Sequence, residues 1–204
     1  MKFVLLLVLV CSLNAAAQEA PAASEPSVVS TIVKDGTWDF GVFGAGGPGL
    51  GNRFDTRFGF LGVRAGRVIT KDHGSGWKRG NLEWAVEVMP VYTVFTPVRA
   101  VYGVSLMPVS WRWNFTRGRK IASYASLSGG LLFSTHNLPP GNTSWVNFTP
   151  QAALGANFLV TRHSAFLFEA ACVHQSNANL GVYNPGYSAA MIFSLGYTWF
   201  KARE

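Results

Sequence analysis

Between Pro150 and Val160 the even positions hold Ala152, Leu154, Ala156, Phe158 and Val160, and the odd positions hold Gln151, Ala153, Gly155 and Asn157. An apolar residue at every second place is the period of a β-strand with one apolar face. The same alternation sets Trp84, Val86 and Val88 against Glu83, Ala85 and Glu87. It also sets Phe166, Phe168, Ala170 and Cys172 against Leu167, Glu169 and Ala171. No segment shows a helical period with caps. The pattern predicts eight strands, near 36–45, 56–69, 82–94, 101–115, 120–133, 148–160, 163–176 and 187–200. Each reaches roughly the ten residues that a tilted strand needs to cross a bilayer.

Mean hydropathy is +0.19, charged residues make up 13% and aromatic residues 14% of the chain. An antiparallel, all-β transmembrane barrel of eight strands gives that composition a reason, because its outer face must meet lipid. A barrel this small fills its interior with side chains and does not conduct. Glu83, Glu87, Arg112, Gln151, Asn157 and Glu169 are then candidates for an interior polar network. Trp111, Trp113, Trp145, Tyr197 and Trp199 near segment ends fit an aromatic girdle. The competing architecture is a soluble lipocalin-like barrel, whose apolar residues would point inward.

The N-terminus adds a compartment. Lys2 precedes the apolar stretch Phe3 to Leu13, which is too short to span a bilayer, and Ala15, Ala16 and Ala17 supply small residues for cleavage. Residues 1–17 are therefore expected to be a signal peptide. Val10 stands before Cys11 where a lipoprotein would carry a small residue. The mature chain keeps only Cys172, so it forms no internal disulfide. Residues 18–35, rich in Ala, Pro, Ser and Glu, read as a flexible periplasmic leader, and residues 36–204 as the barrel. Loss of Lys2 lowers the formal charge from +7 by one, and the basic balance that remains fits an anionic surface without separating lipid from nucleic acid.

The chemistry concentrates in Val173-His174-Gln175-Ser176-Asn177-Ala178-Asn179-Leu180, followed by Asn184-Pro185-Gly186. His174 and Ser176 are two apart on a strand and share the face of Phe166 and Phe168, which by the pattern looks out at lipid. A His and a Ser there are expensive and need a reason. One reason is a hydroxyl nucleophile beside an imidazole base, acting on a substrate embedded in the membrane. The plain alternative puts both at the strand tip, in the wet interface. With both termini periplasmic, the seventh predicted strand brings them to the outer leaflet, which in a Gram-negative outer membrane is lipopolysaccharide. A basic barrel is attracted to its phosphates.

At these residues the chain resembles the PagL-type lipid A 3-O-deacylases, outer-membrane esterases built on eight-stranded barrels. The likeness rests on His174-x-Ser176-Asn177-Ala178, the Asn/Pro/Gly loop after it and its place before the final strand, and extends more weakly back to about Tyr102. The resemblance implies Ser176 as nucleophile and His174 as general base. It also implies Asn177, with the backbone N–H of Asn179, as oxyanion support. The reaction implied is hydrolysis of the ester-linked hydroxyacyl chain at the 3-position of lipid A, without metal or organic cofactor. The partner implied is lipid A or lipopolysaccharide of the outer leaflet, and a homodimer is left open. The family's Glu that orients the His falls on Ser188 here, leaving Asn184 and Ser188 as candidate orienters. Glu169 lies on the opposite face by parity.

Other patterns carry less. Gly44 to Gly49 formally fits G-x-G-x-x-G, but no helix follows and a glycine-rich extracellular turn is expected instead. His73, His136 and His163 share no ligand spacing with Cys or carboxylates. Lys71, Lys78 and Arg79 read as a solvated basic loop at the periplasmic end. No nucleic-acid motif accompanies the charge.

Overall fold

The computed structural model describes residues 27–202, so the expected signal peptide lies outside the described residues. Nine strands form the wall: β1 Trp38–Pro48, β2 Arg57–Val68, β3 Gly80–Phe95, β4 Ala100–Phe115, β5 Ile121–Leu138, β6 Ser144–Phe148, β7 Gln151–Thr161, β8 Ser164–Gln175 and β9 Tyr187–Lys201. All pairings are antiparallel, and β9 returns to β1 with Trp38 opposite Lys201, which closes the sheet. Both β6 and β7 pair with β5. They are two halves of one stave, parted at Thr149-Pro150, so the wall is the expected eight-stranded barrel.

Proline explains the breaks. A Pro inside a sheet has no N–H for the ladder and is tolerated only at bulges and edges. Pro90 sits within the irregularity between Met89 and Tyr92, and Pro108 within the one between Leu106 and Val109. Pro150 separates β6 from β7. Across the first bulge the parity changes: Glu87 and Met89 face inward before it, Tyr92 and Val94 after it. The expected turn at Gly44–Gly49 is not found in that place, because β1 continues through Pro48, paired with Arg57. Glycine is what allows it: a Cβ on Gly47 would collide with the carbonyl oxygen of Met191.

The two faces separate as a membrane barrel requires. Val42, Leu61, Val63, Val104, Leu127, Leu154, Phe168 and Leu195 are exposed on the outside. Asp39, Arg64, Glu83, Glu87, Arg112, Asn114 and Asn157 are buried inside. That apolar exterior excludes the soluble lipocalin-like alternative, whose outer face would have to be polar. Leu195, in the middle of β9 and 66% exposed, tests it. A Leu195→Arg substitution is expected to cost about 2–4 kcal/mol in a bilayer, read from urea unfolding in lipid vesicles. No measurable loss would mean that this face does not meet hydrocarbon.

The expected leader is not loose over its last residues. Val28–Ile32 form a short helix, α1, capped by Ser27, whose hydroxyl also bonds the Thr116 carbonyl. Val29, Ile32 and Val33 pack into the terminal end of the barrel against Val68, Ala122, Ala165 and Phe200. A second apolar cluster, including Phe60, Met89, Tyr92, Leu132 and Ile192, fills the other half of the interior. Apolar burial against that end is what orders a segment whose composition alone reads as flexible.

Candidate active site

The interior between the two apolar clusters is a chain of charge. Arg64 reaches Asp39 at 3.1 Å, Glu87 at 2.7 Å and Glu83. Asn114 donates to Glu83 at 2.8 Å, and Asn81 links this end of the chain to the Val33 carbonyl at 2.7 Å. Arg112 lies 3.7 Å from both Asp39 and Glu83, with its guanidinium 3.8 Å from the Tyr124 ring centroid. Tyr124 donates in turn to Glu169 at 2.9 Å. Glu83, Glu87, Arg112, Asn157 and Glu169 thus lie inside as their parity predicts, and Gln151 lines a small interior cavity with Glu87 and Glu169. Glu169 is engaged there, on the far side of the wall from His174.

Asp39 and Arg64 were not among the expected network residues. The inward face of β2 also carries Phe58 and Phe60, so apolar periodicity did not distinguish the inside of that strand from the outside. The better signal was Gly62 and Gly66 flanking Arg64 at the same parity. A Cβ on Gly66 would collide with the Asp39 carboxylate, so the missing side chain leaves room for the ion cluster.

The motif lies at the end of β8 remote from both termini. His174 is exposed on the outer face, with its N–H bonded to the Pro150 carbonyl at 2.9 Å. Ser176, half-buried, exchanges backbone hydrogen bonds of 2.7 and 3.1 Å with Phe148. The structure therefore brings both side chains to one end of one strand, where the stave formed by β6 and β7 is broken. Between them Gln175 turns inward and is fully buried, with neither amide atom hydrogen-bonded among the described residues. By register Thr149 faces Gln175 across the strands, so a polar pair backs the motif from inside.

The loop after Ser176 is held by its own hydrogen bonds. Asn177 donates from its amide to the Tyr183 carbonyl at 3.0 Å, and accepts the Asn179 N–H at 2.9 Å. Its own N–H goes to Asn184 Oδ1 at 3.2 Å. Both groups expected to support an oxyanion are thus engaged within the loop, and Asn184 faces Asn177. Ala178 and Asn179 have φ of 47° and 63°, a left-handed pair that costs Ala about 1–2 kcal/mol and that the Asn177 contacts hold in place. Tyr183 N–H bonds the Asn142 carbonyl at 3.0 Å, which joins this loop to the one between β5 and β6.

Of Ser188 only the backbone placement is described. Val173 pairs with Ala190 and Gln175 with Tyr187, so one residue of β8 faces two of β9. That residue is His174, and Ser188 lies in the bulge across from it. On the same outer face an apolar groove of about 600 Å³ runs over Trp111, Leu127, Leu154, Ala152, Ala170 and Cys172. Small side chains form its floor, and Cys172 is the outward neighbour of His174 along β8.

No family model and no curated protein matches the chain. Among solved structures, the outer membrane enzyme PagL shares the fold at 17% identity and TM-score 0.52, over 78% of this chain and 97% of that one. The N-terminal β-barrel domain of Pseudomonas aeruginosa OprF does so at 15% identity and TM-score 0.51, over 82% and 98%. These likenesses join a closed wall, an apolar exterior and a buried ion cluster between two apolar layers inside. The chain is an integral outer-membrane β-barrel. One of these neighbours is described as an enzyme and the other as a barrel domain, so the fold alone selects no chemistry.

Proposed function

We propose that this outer-membrane barrel is an esterase that removes the 3-O-linked hydroxyacyl chain of lipid A, with Ser176 as nucleophile and His174 as general base. The observation that carries the reading is the placement of His174 and the Ser176 backbone at the outer end of β8, on the lipid side, beside a groove of small apolar residues. An apolar groove floored by small side chains suits an acyl chain lying along the wall. The imidazole takes the hydroxyl proton as Ser176 attacks the ester carbonyl, then returns it to the departing sugar oxygen; water resolves the acyl-enzyme by the same route. Oxyanion support from Asn177 and the Asn179 N–H requires the turn between them to open when substrate binds. We also propose residues 1–17 as a cleaved signal peptide.

The second reading is a non-catalytic barrel with a degenerate site. It is favoured by the engagement of Asn177, Asn179 and Asn184 with one another and by the interior position of Glu169. Mass spectrometry of lipid A from Gram-negative cells expressing the protein separates the two. Loss of one hydroxyacyl mass is expected with the native protein and not with Ser176→Ala. Unchanged lipid A, with the barrel folded in the outer membrane, would reject the esterase.

A further inference from the structure

The positive charge of this barrel is concentrated at one end, and that end is not the one that carries Ser176. The loops β2–β3 and β4–β5, both at the end of the chain termini, expose Lys71, Lys78, Arg79, Arg117, Arg119 and Lys120. Asp72 is the acid among them, and it is engaged with Arg79 at 3.1 Å, Thr116 at 2.7 Å and Asn81 at 3.0 Å. Arg162 in the β7–β8 turn, Lys34 after α1 and Lys201 at the end of β9 are exposed at the same end, where Asp35 is the one exposed acid among the described residues. At the opposite end the loops hold Arg53, Arg99 and Asp55, and Arg57 opens β2. The two loops around Ser176, 139–143 and 176–186, contain no charged residue. The net charge therefore does not sit where the lipid A phosphates would meet the site.

Aromatic residues accompany the basic end at the level where headgroups lie. Trp77 is 71% exposed in the β2–β3 loop with the Lys78 ammonium 5.3 Å from its ring centroid. Arg67 stands 5.5 Å from the Trp38 ring, which stacks on Phe40 at the edge of the apolar belt. Tryptophan anchors at the boundary between hydrocarbon and headgroups, and lysine and arginine just beyond it meet lipid phosphates. A solvated face would need neither the ring-like distribution over several loops nor its contact with the belt.

We infer that the terminal end of the barrel is a binding surface for anionic glycerophospholipid, gripping the phosphodiester headgroups of the leaflet that faces the periplasm. It holds the barrel at a fixed depth while the nearly uncharged outer loops are left free to admit a lipid between them. The interaction is electrostatic, so it weakens as salt shortens the screening length, to about 3 Å near 1 M.

Electron spin resonance of spin-labelled phosphatidylglycerol and phosphatidylcholine tests this with the full-length barrel in phosphatidylcholine vesicles. The native protein is expected to select phosphatidylglycerol several-fold at low salt and to lose most of that preference near 1 M salt. Three variants, Lys71→Gln/Lys78→Gln, Arg117→Gln/Arg119→Gln and Lys120→Gln/Arg162→Gln, are each expected to remove part of it. Arg57→Gln/Arg99→Gln at the other end is expected to leave it intact. Equal association of the two lipids with native protein would overturn the inference, as would a preference lost in the Arg57/Arg99 variant alone. Ser176→Ala protein keeps the preference, so failure of the esterase reading is distinguishable from failure of this one.

Discussion

An Arg64→Met barrel is expected to lose about 3–5 kcal/mol of stability, the usual result of removing one partner from a buried ion cluster. Arg64 holds Asp39, Glu87 and Glu83 together, and all four side chains are buried. Without the guanidinium, Arg112 still stands 3.7 Å from Asp39 and Glu83. Among the described residues, Glu87 then keeps only the Ser110 hydroxyl, which donates to it at 3.1 Å. An uncompensated carboxylate in that position costs far more than the Met side chain regains by packing. Urea unfolding in lipid vesicles, followed by the gel mobility difference between folded and unfolded barrel, measures the loss. Adding Glu87→Gln to Arg64→Met is expected to restore part of it, because the second change removes the stranded charge. A single-variant loss under about 1 kcal/mol is what a solvated surface pair gives, and would mean that water reaches this network.

That cluster also shows what could and could not be read from the residues in order. Parity alone put Glu83, Glu87 and Glu169 inside, because in β3 and β8 acids alternate with Trp, Val and Phe, which favour lipid. In β2 the two faces do not contrast: Phe58 and Phe60 share the inward face with Arg64, since the outer half of the interior is apolar. Periodicity reports a difference between two faces, and there both faces are apolar. Pro90, Pro108 and Pro150 lie inside staves rather than between them, because bulges accept a residue without N–H. The order in Val28–Ile32 was invisible, since it comes from burial against residues of several distant strands.

For the site, the sequence placed His174 and Ser176 on the outer face near a strand end, and the backbone agrees with that placement. What it could not supply was the state of the loop. The hydrogen bonds that join Asn177 to Asn179, Tyr183 and Asn184 depend on a left-handed turn at Ala178-Asn179, where neither residue is glycine. Nor could it show that Ser188 falls in a bulge opposite His174, because that follows from pairing between strands.

That register makes Ser188→Glu the most informative change at the site. In a Ser–His pair the imidazole must present its lone pair to the hydroxyl and its N–H elsewhere, and a carboxylate on that N–H fixes the tautomer and stabilises the imidazolium that forms. Replacing the carboxylate by an uncharged group in the protease precedent costs about four orders of magnitude. A carboxylate introduced across from His174 is therefore expected to raise hydroxyacyl release by about a hundredfold to ten-thousandfold over native protein. Purified Ser188→Glu and native barrels, in detergent with lipid A and followed by released fatty acid, give the comparison. Ser188→Gln, of similar size but without charge, is expected to stay near the native rate. Ser188→Glu combined with Ser176→Ala is expected to be silent, which ties any gain to the nucleophile. If folded Ser188→Glu hydrolyses no faster than native protein, the orientation and charge of His174 do not limit the reaction, and Ser188 is not the orienting position. If the gain survives loss of Ser176, the hydrolysis belongs to another group.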